Sequence, residues 1–369
     1  MQDLKIRDIS YIKNYRQVRK IFGKTVCIEC LDVDLRPHLL KELSLYPAGE
    51  LEQADYILEI LSNDEIKKRI KEFEDTEYIC ITAKTGVRYF TFHEGKLSHI
   101  LFSLNKPINK LHGWVQRFRN IGFNRREERI GQIIHEQVLV PSVLFDEKVV
   151  PVHSSAVEFN NQVVLFGGHG GVGKTSLELE LCFYRAAHFI ADDISVVSIE
   201  GKVFPNLSYP KIYGYNVEGH PEIKKRVIDG SDFMDRLQWK YQFLKGPNKV
   251  RRRISPALLY QNYESEPVQG NRYMILNRYE GDILKVEKVS SDEAAGVTIK
   301  ILKSELSGIL NQLDHQENFK VSRYKKEAII ERWSMNLSKL LSSFVCEVVF
   351  IPQGIPHQEF KEKMMDVFS

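Results

Sequence analysis

The sequence predicts a mixed α/β fold, an α+β arrangement with a mixed sheet, in which one unit carries a glycine-rich loop. Strand-length apolar runs alternate with helical patterns over most of the chain. One such run leads directly into Gly167-Gly168, and a helical pattern follows Thr175. With 369 residues, 43% hydrophobic and 27% charged, the composition is that of a folded protein with one large domain or two ordinary ones.

The balance of positive and negative charges indicates which kinds of binding partner are not expected to dominate. The 52 Lys and Arg residues nearly match the 49 Asp and Glu residues, so the net charge is only +3. This balance predicts neither nucleic acid nor a membrane as the main partner. Residues 1–10 carry charges where a signal peptide needs an apolar core, and no run approaches the roughly 18 apolar residues of a transmembrane helix. We therefore expect a soluble, cytoplasmic protein.

The cysteines are few and odd in number, which predicts reduced thiols: Cys27, Cys30, Cys80, Cys182 and Cys346. Cys27 and Cys30 form a C-x-x-C pattern, compatible with a redox pair or half of a zinc site. Neither a second C-x-x-C nor a nearby Cys/His pair completes a metal shell. The alternation of residues 24–35 favours ordinary strand positions for both thiols.

Residues 1–148 are predicted to form an accessory α/β region, with substrate binding open as its role. A polar helix is expected at 64–73, followed by an antiparallel meander with strands at 78–83, 88–93 and 97–104. Four isoleucine and valine side chains at helical spacing predict an amphipathic helix at 126–140, which Pro141 limits.

Residues 149–369 are predicted to form the second domain. Strands at 152–159 and 162–166 flank Asn160-Asn161, a pair that suits a tight hairpin because Asn tolerates positive φ. The stretch 205–256 has weak periodicity and predicts a functional loop or lid. The remaining elements are expected as strands at 273–277, 284–289 and 345–351, and as helices at 324–341 and 357–367.

The glycine-rich segment matches G-x-x-x-x-G-K-[ST] in full, from Gly168 to Thr175. Glycines let main-chain amides turn toward phosphate oxygens, Lys174 adds a charge for the β- and γ-phosphates, and Thr175 offers a hydroxyl to Mg²⁺. A strand precedes the loop, and a helix with a buried stripe of Leu179, Cys182, Phe183 and Ala186 follows. The residues expected to bind ATP or another nucleoside triphosphate are Gly168, Gly170, Gly171, Val172, Gly173, Lys174, Thr175 and Ser176.

Two adjacent acids, Asp192 and Asp193, interrupt an apolar run one helix after the loop. Burying them is costly unless a metal or a proton-transfer task compensates. In a strand they would point to opposite faces, so one could face a substrate hydroxyl and the other the metal. The alternative is a polar turn between two short strands.

Residues 150–198 resemble the HPr kinase/phosphorylase family, whose nucleotide-binding core is similar to that of phosphoenolpyruvate carboxykinase. In that family a strand histidine precedes a G-x-x-G-x-G-K-[ST] loop, and an A-D-D segment follows one helix later. The matching residues are His153, Gly168, Gly171, Gly173, Lys174, Thr175, Asp192 and Asp193.

The resemblance implies an ATP- and Mg²⁺-dependent kinase with a hydroxyl acceptor. Asp192 would be the base, Asp193 and Thr175 would hold the metal, and His153 would lie near the phosphates with Lys174. From the residues alone, His153 could equally be an ordinary strand histidine. The resemblance also makes a homo-oligomer plausible.

The chain departs from the family downstream. The E-I-R-G-L-G-like segment of HPr kinases is replaced by FPNLSYPKIYGYNVEGH. The departure argues against HPr as the substrate and against the phosphorylase reaction. It indicates a divergent member that acts on a Ser or Thr of a peptide or protein, or on a small molecule.

A basic segment, residues 245–253, has two interpretations. Lys245, Lys249, Arg251, Arg252 and Arg253 could form a solvated face or a hinged arm that closes on the phosphates.

Two other functions compete with a kinase. One is a regulatory switch that binds or hydrolyses a nucleotide without an acceptor. The paired acids favour the kinase, because a switch needs a group that positions water but no second acid beside it. The other, carboxykinase-like chemistry on an oxoacid, needs metal-ligating His and Lys residues that the sequence does not place.

Overall fold

The computed structural model describes residues 16–73, 76–105, 129–229, 231–314 and 322–368. The strands are β1 (Arg16–Ile21), β2 (Lys24–Cys30), β3 (Tyr56–Leu61), β4 (Glu77–Ala83), β5 (Gly86–His93), β6 (Lys96–Leu104), β7 (Val149–Val152), β8 (Ser154–Phe159), β9 (Gln162–Gly167), β10 (His188–Ala191), β11 (Ser195–Ser198), β12 (Lys202–Phe204), β13 (Lys211–Tyr213), β14 (Arg251–Arg253), β15 (Val268–Gln269), β16 (Arg272–Tyr279), β17 (Lys285–Lys288) and β18 (Val345–Pro352).

The α-helices span Arg36–Leu43, Asn63–Lys71, Arg129–Ile134, Val140–Ser142, Lys174–Leu179, Gly214–Val217, Pro221–Ile228, Phe233–Leu244, Pro256–Leu259, Ser291–Glu305, Ser307–Leu313, Lys326–Leu341 and His357–Phe368. The fold is therefore mixed α/β, as predicted. Among the described helices, none combines the length and the apolar character needed to cross a bilayer.

The first sheet has the strand order β1-β2-β3-β6-β5-β4. Strands β4, β5 and β6 pair antiparallel, which confirms the predicted meander. Cys27 and Cys30 lie buried on β2 with free thiols. Neither belongs to the group of three side chains that could hold a metal ion in the described part of the chain.

The helix predicted at 126–140 is present from Arg129, the first described residue of this part of the chain, and residues 126–128 lie outside the described residues. It does not end at Pro141. A π-helical turn, His135–Leu139, leads into the helix Val140–Ser142. Proline lacks an N–H and its ring crowds the carbonyl one turn earlier, and the wider π turn accommodates both defects.

Two further sheets meet beside the glycine-rich loop. The larger has the order β10-β8-β9-β16-β18-β17, and the smaller has the order β15-β12-β11-β7. Strands β8 and β9 form the predicted hairpin, with Asn160 and Asn161 at φ 51° and 60°. The strand predicted at 152–159 is divided, because β7 pairs with β11 and β8 pairs with β9. His153 lies at this division.

The stretch 205–256 is not irregular, contrary to prediction. It contains β13, β14 and the helices Pro221–Ile228 and Phe233–Leu244. The second helix has apolar side chains on both its buried and its exposed faces, which blurs the single apolar stripe expected of a surface helix.

An ion pair joins the accessory region to the rest of the chain. Glu42 accepts hydrogen bonds from both terminal nitrogens of Arg253, and both side chains are buried. Burial alone would raise the pKa of Glu42, but Arg253 and His135 outweigh burial and lower the pKa to about 2. Nearby, the Tyr46 hydroxyl accepts a hydrogen bond from the Leu207 amide at 2.9 Å. The predicted domain boundary at residue 148 stays a prediction.

Glu42→Gln should destabilise the fold because Arg253 would stay buried without a charged partner. We expect a loss of about 3 kcal/mol in the free energy of unfolding at pH 7, measured by urea titration. The folded pKa of Glu42 lies below its unfolded value of 4.5, so its contribution is present above that pH and is lost as the pH falls toward about 2. The control is Glu72→Gln, at an exposed pair with Arg69, which should cost less than about 0.5 kcal/mol. Equal costs would contradict the assignment.

Candidate active site

The glycine-rich loop, residues 168–173, follows β9 at the edge where β9 and β16 run parallel. Gly168, Gly171 and Gly173 have φ of 141°, 79° and 120°, which side chains rarely adopt. A Cβ at Gly168 would lie 2.7 Å from the Leu276 carbonyl oxygen. At Gly170 and Gly171, in contrast, an added Cβ would meet no heavy atom within 4 Å. The loop is therefore tight against protein at its ends and has room around its middle.

Lys174 begins the helix after the loop and is buried. Its Nζ donates hydrogen bonds to the carbonyl oxygens of Gly168 and His169, each at 2.9 Å. Burial lowers the pKa of Lys174, against the opposing effect of the two aspartates. Val172 is also buried, whereas Thr175 and Ser176 are half-buried and His169 is exposed.

The acid pair lies in a turn and not in a strand. Strand β10 ends at Ala191 in the larger sheet, and β11 begins at Ser195 in the smaller one. Asp193 has φ 69°, a left-handed conformation. The two carboxylates therefore point in different directions because of the turn, and not because of the strand alternation that was predicted. The polar turn considered from the sequence is present, and it also brings the acids to the loop.

Asp192 is buried and faces the loop. Thr175 Oγ1 and Ser155 Oγ lie 3.5 and 3.3 Å from Asp192 Oδ1. Burial, and then the neighbouring Asp193, raise the pKa of Asp192.

Asp193 is 44% exposed at its side chain. Lys211 Nζ lies 2.6 Å from Asp193 Oδ2, and His153 Nε2 lies 3.4 Å from Asp193 Oδ1. Burial opposes ionisation, but Lys211 and His153 hold the pKa of Asp193 well below its usual range. The structure thus brings together all the predicted catalytic residues, with His153 beside Asp193.

Two residues of the site were missed from the sequence. Lys211 binds Glu136 and Asp193, each at 2.6 Å, and comes from β13, inside the stretch predicted to be irregular. Glu178 is fully buried and accepts a hydrogen bond from Tyr260 at 2.6 Å. Burial and Asp192 raise the pKa of Glu178 well above its usual value. The sequence did contain a signal for the burial of Glu178, because this residue lies one helical turn before Cys182, a member of the predicted buried stripe.

The helix after the loop differs from prediction at its end. It continues beyond Leu179 as a π-helical turn, Glu180–Tyr184, and Cys182 is buried as predicted. Ala186, predicted to be buried, is exposed and lies outside the helix. The wider π turn and the left-handed backbone of Ala186 itself, with φ 56°, place Ala187 in the buried position instead.

A small cleft, partly open to solvent, borders the acids. It is lined by His135, Glu136, Val140, Asp192, Asp193, Ile194, Asn206, Ser208, Tyr209 and Lys211. Carboxylate and hydroxyl oxygens are the ligands that Mg²⁺ prefers, and the acid pair with Thr175 offers both. These three residues are therefore the ones that could hold Mg²⁺.

The arginines of the basic segment face protein. Arg251–Arg253 form β14, paired with β13. Arg251 donates to the Tyr213 hydroxyl at 3.0 Å, Arg252 lies over the Trp239 ring, and Arg253 binds Glu42. These contacts fit neither a hinged arm nor a solvated face, although Lys245 and Lys249 are exposed.

Comparison with known proteins leaves the family open. No family model matches the chain, and no curated protein matches it. Among solved structures, the chain is similar to the HPr(Ser) kinase/phosphatase from Coxiella burnetii, at 10% sequence identity and a TM-score of 0.24. The match covers 60% of this chain and 99% of that one. So weak a likeness supports no conclusion about fold or activity.

The loop geometry predicts unequal tolerance to alanine. Gly173→Ala should destabilise the protein by about 2 kcal/mol, because φ is 120° and the new Cβ would lie 2.8 Å from the Phe360 ring. Gly170→Ala, in open space, should change stability by less than about 0.5 kcal/mol. Urea unfolding compares the two, and a Gly173→Ala variant as stable as the wild type would refute the loop conformation.

The low pKa of Asp193 should depend on Lys211. Lys211→Met keeps most of the side-chain volume but removes the charge, so the Asp193 pKa should rise toward 3.8, as measured by carboxyl NMR titration. Since the wild-type pKa is depressed, its stabilisation is present above about pH 4 and is lost on acidification. The variant should therefore lose less stability between about pH 5 and pH 2. Lys202→Met, at an exposed position, should leave the Asp193 pKa unchanged.

Proposed function

We propose that this protein is an ATP- and Mg²⁺-dependent kinase that transfers the γ-phosphoryl group to a hydroxyl acceptor. The observation that carries the proposal is the contact between Thr175 and Asp192, at 3.5 Å. It joins a loop suited to binding an anion to an acid pair that borders a cleft.

The loop has the features of a P-loop. Residues 168–173 follow a strand, precede a helix and use the backbone angles that let amides point toward an anion. The positive end of helix Lys174–Leu179 adds to the attraction. Lys174 bonds two loop carbonyls, so phosphate oxygens would compete with them for the same ammonium. The open space around Gly170 and Gly171 leaves their backbone accessible to a ligand.

The acid pair supplies the remaining chemistry. Thr175 and Asp193 would hold Mg²⁺, which spreads the charge of the transferring phosphoryl group when bound. Asp192 would orient and deprotonate the acceptor hydroxyl, and its raised pKa favours the role of a base at neutral pH. Lys211 and His153 keep Asp193 ionised and hold it in place.

The position of the cleft supports a hydroxyl acceptor. It borders the acid pair, where a serine or threonine of a peptide or protein, or a small hydroxyl compound, would approach Asp192. Glu136 and Val140, from the predicted accessory region, line it together with the acids, which supports a role for that region in acceptor binding. A nucleotide switch without an acceptor would not need a cleft beside the acid pair.

Labelled ATP tests the activity. We expect the protein, incubated with γ-labelled ATP, Mg²⁺ and cell extract, to label an acceptor other than itself. Asp192→Asn should lower transfer at least about a hundredfold with little change in ATP affinity, because it removes the base and leaves the loop intact. Asp282→Asn, at an exposed position, is the matched control and should transfer at the wild-type rate.

Nucleotide affinity is tested separately by calorimetry. Lys174→Ala should weaken MgATP binding at least about tenfold, since the charge facing the phosphates is lost. Slow ATP hydrolysis with no labelled acceptor would favour the regulatory switch. Full transfer by Asp192→Asn would remove the base assignment, and unchanged ATP affinity in Lys174→Ala would remove the P-loop itself.

A further inference from the structure

The inner face of the helix Phe233–Leu244 is mostly polar, and its outer face carries a row of apolar side chains. Its buried residues are Asp235, Gln238, Trp239 and Gln242. On the opposite face, Phe233, Leu237, Tyr241 and Leu244 are 76%, 43%, 48% and 87% exposed. Their spacings of four, four and three residues place them in one row along the helix. We call these four side chains the exposed row.

The inverted orientation has a structural cause. Arg252, on β14, donates hydrogen bonds to the Asp235 carbonyl and to Gln238 Oε1, and lies over the Trp239 ring. Arg252 is buried, so its charge needs these polar partners on the inner face of the helix. Burying the polar face against Arg252 leaves the exposed row outside. Contiguous exposed apolar side chains of this size mark interaction sites.

The exposed charges along the exposed row are basic. Within this helix the exposed charged residues are Arg236 and Lys240, and the acid Asp235 is buried. Asp232, half-buried at the N-cap, accepts a hydrogen bond from the Asp235 amide. Lys245 caps the helix end, with Nζ 4.0 Å from the Tyr241 ring centroid. Lys224, from the neighbouring helix, lies over Phe243. A ligand for this face therefore needs an apolar stripe with carboxylates at its sides.

We propose that the exposed row is a docking site for an acidic amphipathic helix of a partner protein. A row of about three turns fits one helix laid alongside it, which is a common mode of recognition. A second copy of this chain would bring like charges together. A net charge of +3 gives little long-range attraction to an anionic bilayer, so we favour a protein segment over a membrane. This inference does not rest on the proposed kinase activity.

Two labelled synthetic peptides of about fourteen residues test the proposal. Both carry leucine and phenylalanine on one helical face, and their flanks are glutamate in one and lysine in the other. By fluorescence anisotropy with the full chain, the glutamate peptide should bind at least about tenfold tighter, and salt should weaken it. The double variant Phe233→Ser, Leu244→Ser should lose at least about tenfold in affinity. Ile283→Ser, at a side chain 71% exposed elsewhere, should bind as the wild type does.

Charge reversal provides a second test that does not alter the apolar side chains. Arg236→Glu with Lys240→Glu should weaken the glutamate peptide and strengthen the lysine peptide, and circular dichroism should show an unchanged melting curve. Equal affinity for the two peptides, or unchanged binding in the double serine variant, would overturn the proposal. So would an exposed row that mediates only self-association in sedimentation experiments, or only binding to phosphatidylserine vesicles.

Discussion

The site depends on the passage of the chain from one sheet to another between β10 and β11. Two sheets that share no strand are linked here by a short turn, and its polar residues are Asp192 and Asp193. A second crossing, between β7 and β8, places His153 next to the same turn. Strand ends that meet where a chain changes sheets leave a crevice, and side chains at that point can approach a ligand from several directions.

Lys211 offsets the electrostatic cost of this turn. Three carboxylates, from Glu136, Asp192 and Asp193, border the cleft, and Lys211 binds two of them while its amide lies 3.4 Å from the third. The two aspartates therefore differ in pKa. Lys211 lowers the pKa of Asp193, whereas burial and the neighbouring Asp193 raise the pKa of Asp192. Such a division makes Asp192 the better proton acceptor of the two, while Asp193 stays ionised.

Local patterns predicted the local structure of the core. The asparagine pair of the hairpin, the glycines of the loop and the helix after the loop were each predicted from a few consecutive residues, and the structure contains them. The helix begins at Lys174, one residue earlier than predicted. These features depend on backbone angles that particular residues favour, so the sequence is informative about them.

Features that depend on distant contacts or on an irregular backbone were not predicted. Lys211 reaches Asp193 only because β13 folds beside the turn, and no spacing in the sequence signals that contact. The π-helical turn before Pro141 arises from relief of a local clash, and the division of the strand at His153 reflects pairing with two different sheets. Alternation within one strand could not reveal either.

The inverted helix also has a consequence for handling the isolated protein. Apolar side chains as exposed as Phe233 and Leu244 promote non-specific association once protein concentration rises, and the neighbouring lysines and arginine oppose it by repulsion. High ionic strength weakens that repulsion while it strengthens apolar contact. Solubility should therefore be poorest in concentrated salt, the reverse of a protein held in solution by an evenly charged surface.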